Sequence, residues 1–214
     1  MVYGDSAEQG LVRGNVFYHP KLGFKFSVPL GFKIVNSPAQ VVATSNHGVM
    51  MVFDFAKNSV GHSPSRFLRD VWMENSGGQV HDVEAITVNG MSAATGYVKG
   101  SIGGKAMQIR LIAIAFNDHQ IARFQIGIPA GLSRTQMDEI KAASYSFSRL
   151  SSSERLKLKP FRIQVVVAKH GDSVSSLSRR MTHNDSKEQR FRVLNGLHSG
   201  QRVVAGRLYK IVTE

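Results

Sequence analysis

The chain has 214 residues, 42% of them hydrophobic and 20% charged, a composition typical of a folded protein with one large domain or two smaller ones. It contains no cysteine, which excludes a disulfide scaffold, a thiolate zinc site and a thiol nucleophile. The net charge of +12 predicts attraction to polyanions. The alternative is that the charged residues form a solvated surface that only keeps the protein soluble. No apolar run reaches the roughly 18 residues that a membrane-spanning helix needs.

Residues 1–14 are predicted to form an N-terminal tail. This segment lacks the basic-then-apolar pattern of a secretory signal, and Met1 is followed by a polar run from Tyr3 to Ser6. We therefore expect an excised piece of a longer protein, with an added start codon.

Residues 15–150 show repeated strand and turn patterns. Residues 22–28 alternate, with Phe24, Phe26 and Val28 on one face. Later apolar runs flank three turn sequences, at residues 46–48, 89–90 and 117–119. These runs, predicted as antiparallel strands, cover residues 41–44, 49–55, 86–88, 91–98, 107–116 and 121–128.

Two helices are predicted to interrupt the strands. The first begins at Ser63 as a side-chain cap, with Pro64 at the first helical position, and ends near Gly77 and Gly78. The second begins at Ser133, three residues before Gln136, which is the spacing of a capping box. The fold class is therefore α+β, an antiparallel sheet with two flanking helices. The order β-β-β-β-α-β-β-β-β-α resembles the PsbP-type fold.

A serine-rich linker is predicted over residues 151–159, and a smaller domain over residues 160–214. The order in this domain is strand, helix, helix, strand, with strands at residues 161–168 and 207–212. Asp172 is expected to cap the first helix, and a second helix is expected over residues 186–194. Asn195 and Gly196 are expected to end the second helix in the left-handed conformation.

The runs GDSVSSLSRRM, RFRVLNGL and VVAGRLYKIV resemble the LysM pattern over residues 162–212. The resemblance implies a shallow groove that binds the N-acetylglucosamine backbone of peptidoglycan or chitin. Ser173 replaces the usual threonine, and Ala205 stands where proline is common. Helix capping and helix termination also explain the motif without a ligand. The implied groove residues are Gly171, Asp172, Ser173, Val174, Asn195, Gly196 and Leu197.

A broader resemblance covers the whole chain. The string containing Phe17, His19, Pro20, Gly23 and Phe24, followed by a sheet domain and the LysM-like end, is similar to the C-terminal region of certain proteobacterial periplasmic zinc metalloproteases. These proteins are related to HtpX and to the CAAX-processing endopeptidases. The resemblance implies a bacterial periplasmic or cell-envelope location, and a catalytic domain outside this chain as the zinc carrier and partner.

The chain itself carries no recognised catalytic motif. It has no His-Glu-x-x-His sequence and no Gly-x-Ser-x-Gly elbow, and its eight histidines lack helical i, i+4 spacing. We therefore expect no enzyme activity, no catalytic residue, no metal site and no cofactor in this chain.

The last 64 residues carry much of the charge. From residue 151 to residue 214 there are 13 Lys/Arg and 5 Asp/Glu. The aromatic residues that a single-strand nucleic-acid binder needs for stacking are missing, so nucleic acid is not the expected partner. The leading hypothesis is a basic, non-catalytic accessory region that positions an envelope protease on peptidoglycan or a partner protein. The alternative is a pair of structural or protein-interaction domains with no glycan ligand.

Overall fold

The computed structural model describes residues 3–4, 6–61, 63–74, 78–102, 104–182 and 186–214. The chain divides into two compact units. The larger unit comprises Glu8–Arg155, and the smaller unit comprises Met1–Ala7 together with Leu156–Glu214. Both combine antiparallel strands with a few helices, which confirms the predicted α+β class.

The larger unit is built around an antiparallel sheet with seven strands among the described residues. In spatial order the strands are β4 (Lys33–Asn36), β5 (Val41–Thr44), β6 (Met50–Lys57), β10 (Gln120–Ile128), β9 (Lys105–Asn117), β8 (Met91–Ile102) and β7 (His81–Val88). Hairpins connect β5 to β6, β7 to β8, β8 to β9 and β9 to β10, while β6 pairs with β10 across the sheet. The turn at Asn89 and Gly90 has positive φ at both residues, as its sequence predicts.

A second antiparallel sheet lies in the same unit, so the expectation of a single sheet was wrong. Among the described residues, six strands precede the first helix instead of four. The sequence pattern missed the extra strands because several have only three or four residues, too few to establish an alternation. The order of this sheet is β1 (Leu11–Arg13), β2 (Val16–His19), β3 (Phe24–Ser27) and β11 (Ser148–Arg149).

The two helices that the sequence predicts for the larger unit begin at the predicted positions. Helix α1 (Pro64–Arg66) continues as a π-helical turn, Phe67–Val71, and so ends before Gly78; Gly77 lies outside the described residues. Ser63 makes no side-chain capping hydrogen bond, which corrects that part of the prediction. Helix α2 (Arg134–Tyr145) has the complete capping box.

A cluster of phenylalanine rings joins the two sheets of the larger unit. Phe24 and Phe26 come from the four-stranded sheet, and Phe53 and Phe124 come from the seven-stranded sheet. The ring centroids of Phe26 and Phe53 are 4.7 Å apart, and those of Phe24 and Phe53 are 5.2 Å apart. These are contact distances for aromatic pairs, and all four side chains are buried. The same cluster also includes Phe17, Phe116 and Phe147.

The smaller unit has the predicted order of strand, helix, helix and strand. Strand β12 (Arg162–Val167) pairs antiparallel with β13 (Leu208–Thr213). Helices α4 (Val174–Arg179) and α5 (Lys187–Leu194) lie between them in the chain. The helices and strands share one core, which contains Val166, Val174, Leu177, Met181, Phe191, Tyr209 and Ile211.

The predicted tail and linker both contain regular structure. The tail, residues 1–14, includes β1, and Tyr3 donates its backbone N–H to the carbonyl of Phe161 at 2.8 Å. The linker, residues 151–159, includes helix α3 (Ser152–Lys157). Glu154 of this helix bonds to Lys25 and to the backbone and hydroxyl of Ser151, and these contacts lower its pKa to about 2.

Among the described residues, no helix combines the length and the apolar character needed to cross a membrane.

Replacing Phe53 with alanine tests the aromatic junction between the two sheets. We expect Phe53→Ala to lower the free energy of unfolding of the larger unit by about 3–5 kcal/mol, because a buried ring is lost and a cavity remains. Trp72 is the single tryptophan of the chain and lies in this unit, so its fluorescence during urea unfolding reports the effect. Leu30→Ala is the control, since Leu30 is 85% exposed. A loss for Phe53→Ala as small as that of the control would contradict this account of the junction.

Candidate functional site

The loop that follows β12 contains the first group of predicted groove residues. Gly171 is exposed and has a φ of +84°, a conformation that favours glycine. Asp172 accepts the backbone N–H of Lys169 at 2.7 Å and the hydroxyl of Ser176 at 3.1 Å. These hydrogen bonds, with the Lys169 N–H as the largest cause, lower the pKa of Asp172 below its usual 3.8. Both carboxylate oxygens therefore stabilise the loop itself.

Ser173, and not Asp172, caps helix α4. Its hydroxyl accepts the N–H of Ser176 at 3.1 Å, and the Ser176 hydroxyl accepts the N–H of Ser173 at 2.9 Å. This is a capping box in which serine takes the place usually held by Glu or Gln. The prediction placed the cap one residue too early because Asp and Ser are both favoured caps. Val174 follows as the first helical residue and is buried in the core of the unit.

Asn195 ties the end of α5 to β13. Its side-chain nitrogen donates to the carbonyls of Phe191 and Lys210, both at 2.9 Å, and its side-chain oxygen accepts the N–H of Lys210 at 2.7 Å. The amide thus bonds to both backbone polar groups of Lys210, as a neighbouring strand would. Its φ of −107° corrects the prediction that it adopts the left-handed conformation.

Gly196 and Leu197 complete a Schellman motif. The N–H of Leu197 donates to the carbonyl of Arg192 at 2.9 Å, and the N–H of Gly196 donates to that of Val193 at 3.3 Å. Gly196 supplies the left-handed residue, with φ at +62°. Leu197 packs against the core of the smaller unit. As at Asn195, the polar groups here terminate a helix.

The two predicted groove loops lie beside the same half of the two-stranded β12–β13 sheet. Ala168, which precedes the first loop, donates its N–H to the carbonyl of Arg207 at 2.9 Å. Asn195, in the second loop, bonds to Lys210. The two attachment points are three residues apart, about 10 Å along an extended strand. Together with the strand pairing, this spacing places both loops along the first half of β13.

A groove that the sequence analysis did not predict lies between α4 and α5. Its volume is about 360 Å³, and it contains none of the seven predicted groove residues. Arg179, Lys187 and Arg192 contribute positive charge to it, with Glu188 as the acidic neighbour. The Arg192 guanidinium also donates to the carbonyls of His198 and Gln201 at 2.9 and 3.0 Å, which holds it in place. The basic residues on these two helices were the available sequence signal. The remaining lining residues are Ser175, Ser178, Ser186 and Gln189.

The positive charge of the smaller unit lies at its surface. Residues 156–214 contain 12 Lys/Arg and 4 Asp/Glu. Nine of these Lys and Arg residues are exposed and the other three are half-buried. Ionic contact with a polyanion therefore requires no rearrangement of the fold.

Within the described ranges, no group of three or more His, Asp or Glu side chains is arranged to hold a metal ion. His19 is half-buried beside Phe17 and Phe24, whereas His47, His119, His170 and His198 are exposed.

Neither a protein-family model nor a curated protein sequence matches the chain. The solved structures that are similar in shape include the following three. A crystal structure from Bacteroides thetaiotaomicron VPI-5482 is 13% identical over 71% of this chain, with a TM-score of 0.46, and the chain spans 53% of its length. Cyanobacterial PsbP (CyanoP) from Synechocystis sp. PCC 6803 is 15% identical, with a TM-score of 0.45, over 65% of this chain and 95% of its own. LpqN of Mycobacterium tuberculosis, involved in cell envelope biogenesis, is 15% identical, with a TM-score of 0.45, over 60% of this chain and 83% of its own.

The role of Asp172 can be tested by pH-dependent unfolding. Because its pKa is lowered in the folded state, its stabilising effect should be complete above pH 3.8 and decline as the pH falls through the lowered pKa. We expect Asp172→Asn to destabilise the smaller unit at neutral pH, and the difference from wild type to narrow in acid. Urea unfolding, followed by the NMR amide signals of this unit, measures both values. Glu188→Gln, the same charge change at an exposed site, should show a smaller difference at neutral pH.

Asn195→Asp tests the link between α5 and β13. The new carboxylate would face the carbonyls of Phe191 and Lys210 without a proton to donate, at the negative end of a helix. We expect a loss of about 1–3 kcal/mol in the free energy of unfolding at neutral pH, partly recovered when acid protonates the carboxyl. Gln189→Glu makes the same change in the first turn of α5, where an anion is favoured, and should have little effect. Equal losses for the two variants would show that the hydrogen bonds of Asn195 are unimportant.

Proposed function

We propose that this chain is a non-catalytic accessory region of a bacterial cell-envelope zinc metalloprotease, and that residues 160–214 form a LysM-like module that holds it on anionic cell-wall polymer. The observation that carries this proposal is the exposed positive charge of a small strand-helix-helix-strand unit with a basic groove between its helices. Nucleic acid stays the less favoured polyanion because the aromatic rings Phe191 and Tyr209 are buried.

Charge is the main source of affinity in this proposal. Sugar recognition in a shallow groove needs polar groups that are free to bond to hydroxyls. The side chains of Asp172 and Asn195 already make internal hydrogen bonds with their polar atoms. Arg179 and Lys187 line the basic groove and reach solvent. Sugar contacts would therefore come from backbone groups of the two loops and add little to the ionic attraction.

The protease part of the proposal rests on the sequence resemblance around His19 and Pro20. In this arrangement zinc and the catalytic residues belong to a domain outside residues 1–214, and the PsbP-like sheet domain is the part that contacts it. A periplasmic or cell-envelope location follows from the same resemblance.

The alternative proposal is that both units serve only as structural or protein-interaction domains. The capping box of α4 and the Schellman motif of α5 favour it, because each gives the LysM-like residues a role in folding that needs no ligand. The two proposals differ in one measurable property, the binding of the whole chain to the wall polymer.

Sedimentation with insoluble peptidoglycan tests the proposal. The Debye length falls from about 10 Å at 0.1 M salt to about 3 Å at 1 M, so ionic binding should weaken strongly between these conditions. We expect the chain to sediment at low salt and to remain largely in solution at high salt. Arg179→Gln combined with Lys187→Gln should reduce the bound fraction at low salt.

A matched control distinguishes binding at the basic groove from a general effect of the net positive charge. Arg134→Gln combined with Lys141→Gln removes two exposed charges from α2 in the larger unit. Equal reductions by the two double variants would place the binding outside the groove. Binding that survives high salt and is displaced by soluble N-acetylglucosamine oligomers would instead show a sugar site. No sedimentation at either salt concentration would favour the structural alternative.

A further inference from the structure

A cavity of about 430 Å³ lies in the larger unit, next to strand β2. It is lined by the side of the β2–β3 hairpin, by the turn between β4 and β5, and by β6. The volume falls within the range of small-molecule sites. The motif residues Phe17, His19 and Phe24, to which the proposed function assigns no binding role, all line it.

Three neighbouring rings form the apolar side of this cavity. The Phe24 ring lies between His19 and Phe55, with centroid distances of 5.4 Å and 5.3 Å. Phe24 is buried, whereas His19 and Phe55 are half-buried and so present ring surface. Leu22, 40% exposed, lies at the same opening. Partly exposed rings in a concave site favour a ligand with a flat aromatic surface.

His19 provides a hydrogen-bond donor. Its Nδ1 accepts the backbone N–H of Leu22 at 3.3 Å, so the proton of the neutral ring is assigned to Nε2. Burial lowers the pKa of His19 below 6.5, against smaller raising effects from its own backbone and Glu8 and a further lowering by Lys21. The lowered pKa favours the neutral ring, in which the proton assigned to Nε2 can be offered to a ligand acceptor.

The charges around the cavity are compensated in pairs. Asp54 receives two hydrogen bonds from the Arg123 guanidinium, at 2.7 and 2.6 Å. Glu8 forms an ion pair with Lys21. With His19 neutral, the site has no unbalanced charge, which favours an uncharged ligand over an ion.

The edge of β6 adds backbone polar groups to the same site. Strand β5 pairs with β6 only from Met50 to Phe53, whereas β6 continues to Lys57. Along residues 54–57, no strand among the described residues pairs with β6 on the side of β5. Gln40 and Gln120 place amide side chains at the same opening.

We propose that this cavity binds a small, uncharged aromatic molecule that carries a hydrogen-bond acceptor such as a carbonyl oxygen. The ring of the ligand packs against the exposed part of the Phe55 ring, and its acceptor receives the Nε2–H of His19. This site is independent of the wall-binding function proposed for the smaller unit.

Titration with prodan, an uncharged naphthyl ketone with environment-sensitive fluorescence, tests the proposal on the whole chain. We expect a saturable blue shift with wild type. Ala39→Trp places a large side chain at the opening, at an exposed position that does not belong to the core, and should weaken binding about tenfold or more. Ala130→Trp is the control at an exposed position away from the cavity and should bind as wild type does.

The hydrogen bond from His19 has its own test. His19→Phe keeps a ring but removes the donor, so prodan affinity should fall about two- to tenfold, the value of one neutral hydrogen bond. Dimethylaminonaphthalene, which lacks the carbonyl, should bind both proteins equally. A wild type without saturable binding, or Ala39→Trp with unchanged affinity, would overturn the site. Equal loss of both probes in His19→Phe would overturn the role of the hydrogen bond.

Discussion

The packing of Phe24 against Phe53 is the contact on which the larger unit depends. Both rings are buried in the core that the two sheets share, so their contact, at 5.2 Å between centroids, helps to set how the two sheets meet. Phe147, which follows α2, completes the junction at 5.4 Å from Phe24 and 5.7 Å from Phe53. A core made of rings leaves few ways to fill the same volume, because each ring needs a favourable geometry with several neighbours. This explains why the short strands β1 to β3, weak on their own, are held in a single arrangement.

The same junction creates the cavity at its margin. The β4–β5 turn stops short of the end of β6, and the hairpin that carries Phe17 and His19 does not cover the remaining edge. The rings that stabilise the core therefore reach the surface at one place, together with polar side chains. The same residues stabilise the core and line the proposed ligand site, so substitutions at the exposed rim test ligand binding more clearly than substitutions of the rings.

The smaller unit depends less on a large core, because about 55 residues can bury only a limited apolar volume. Its loops are fixed by side-chain hydrogen bonds to the backbone, from Asp172, Ser173 and Asn195. These bonds occupy polar atoms that a sugar-binding groove would otherwise offer. Positive charge remains as the accessible chemistry of the unit, which is why the proposed wall attachment is mainly ionic.

The sequence by itself determined the local features, because their causes lie within a few residues. Asn89 and Gly90 specify a tight turn, Ser133 and Gln136 specify a capping box, and the apolar alternation from residue 121 specifies a strand. Only the tertiary structure decided what depends on distant residues: the division of the strands into two sheets, the bond from Asn195 to Lys210, and the cavity around His19. Strand partners are chosen by packing across the core, and a three-residue strand such as β1 exists because β2 pairs with it. The alternation of apolar residues in one segment cannot predict its partner strand, because the pairing energy comes from contacts between the two strands.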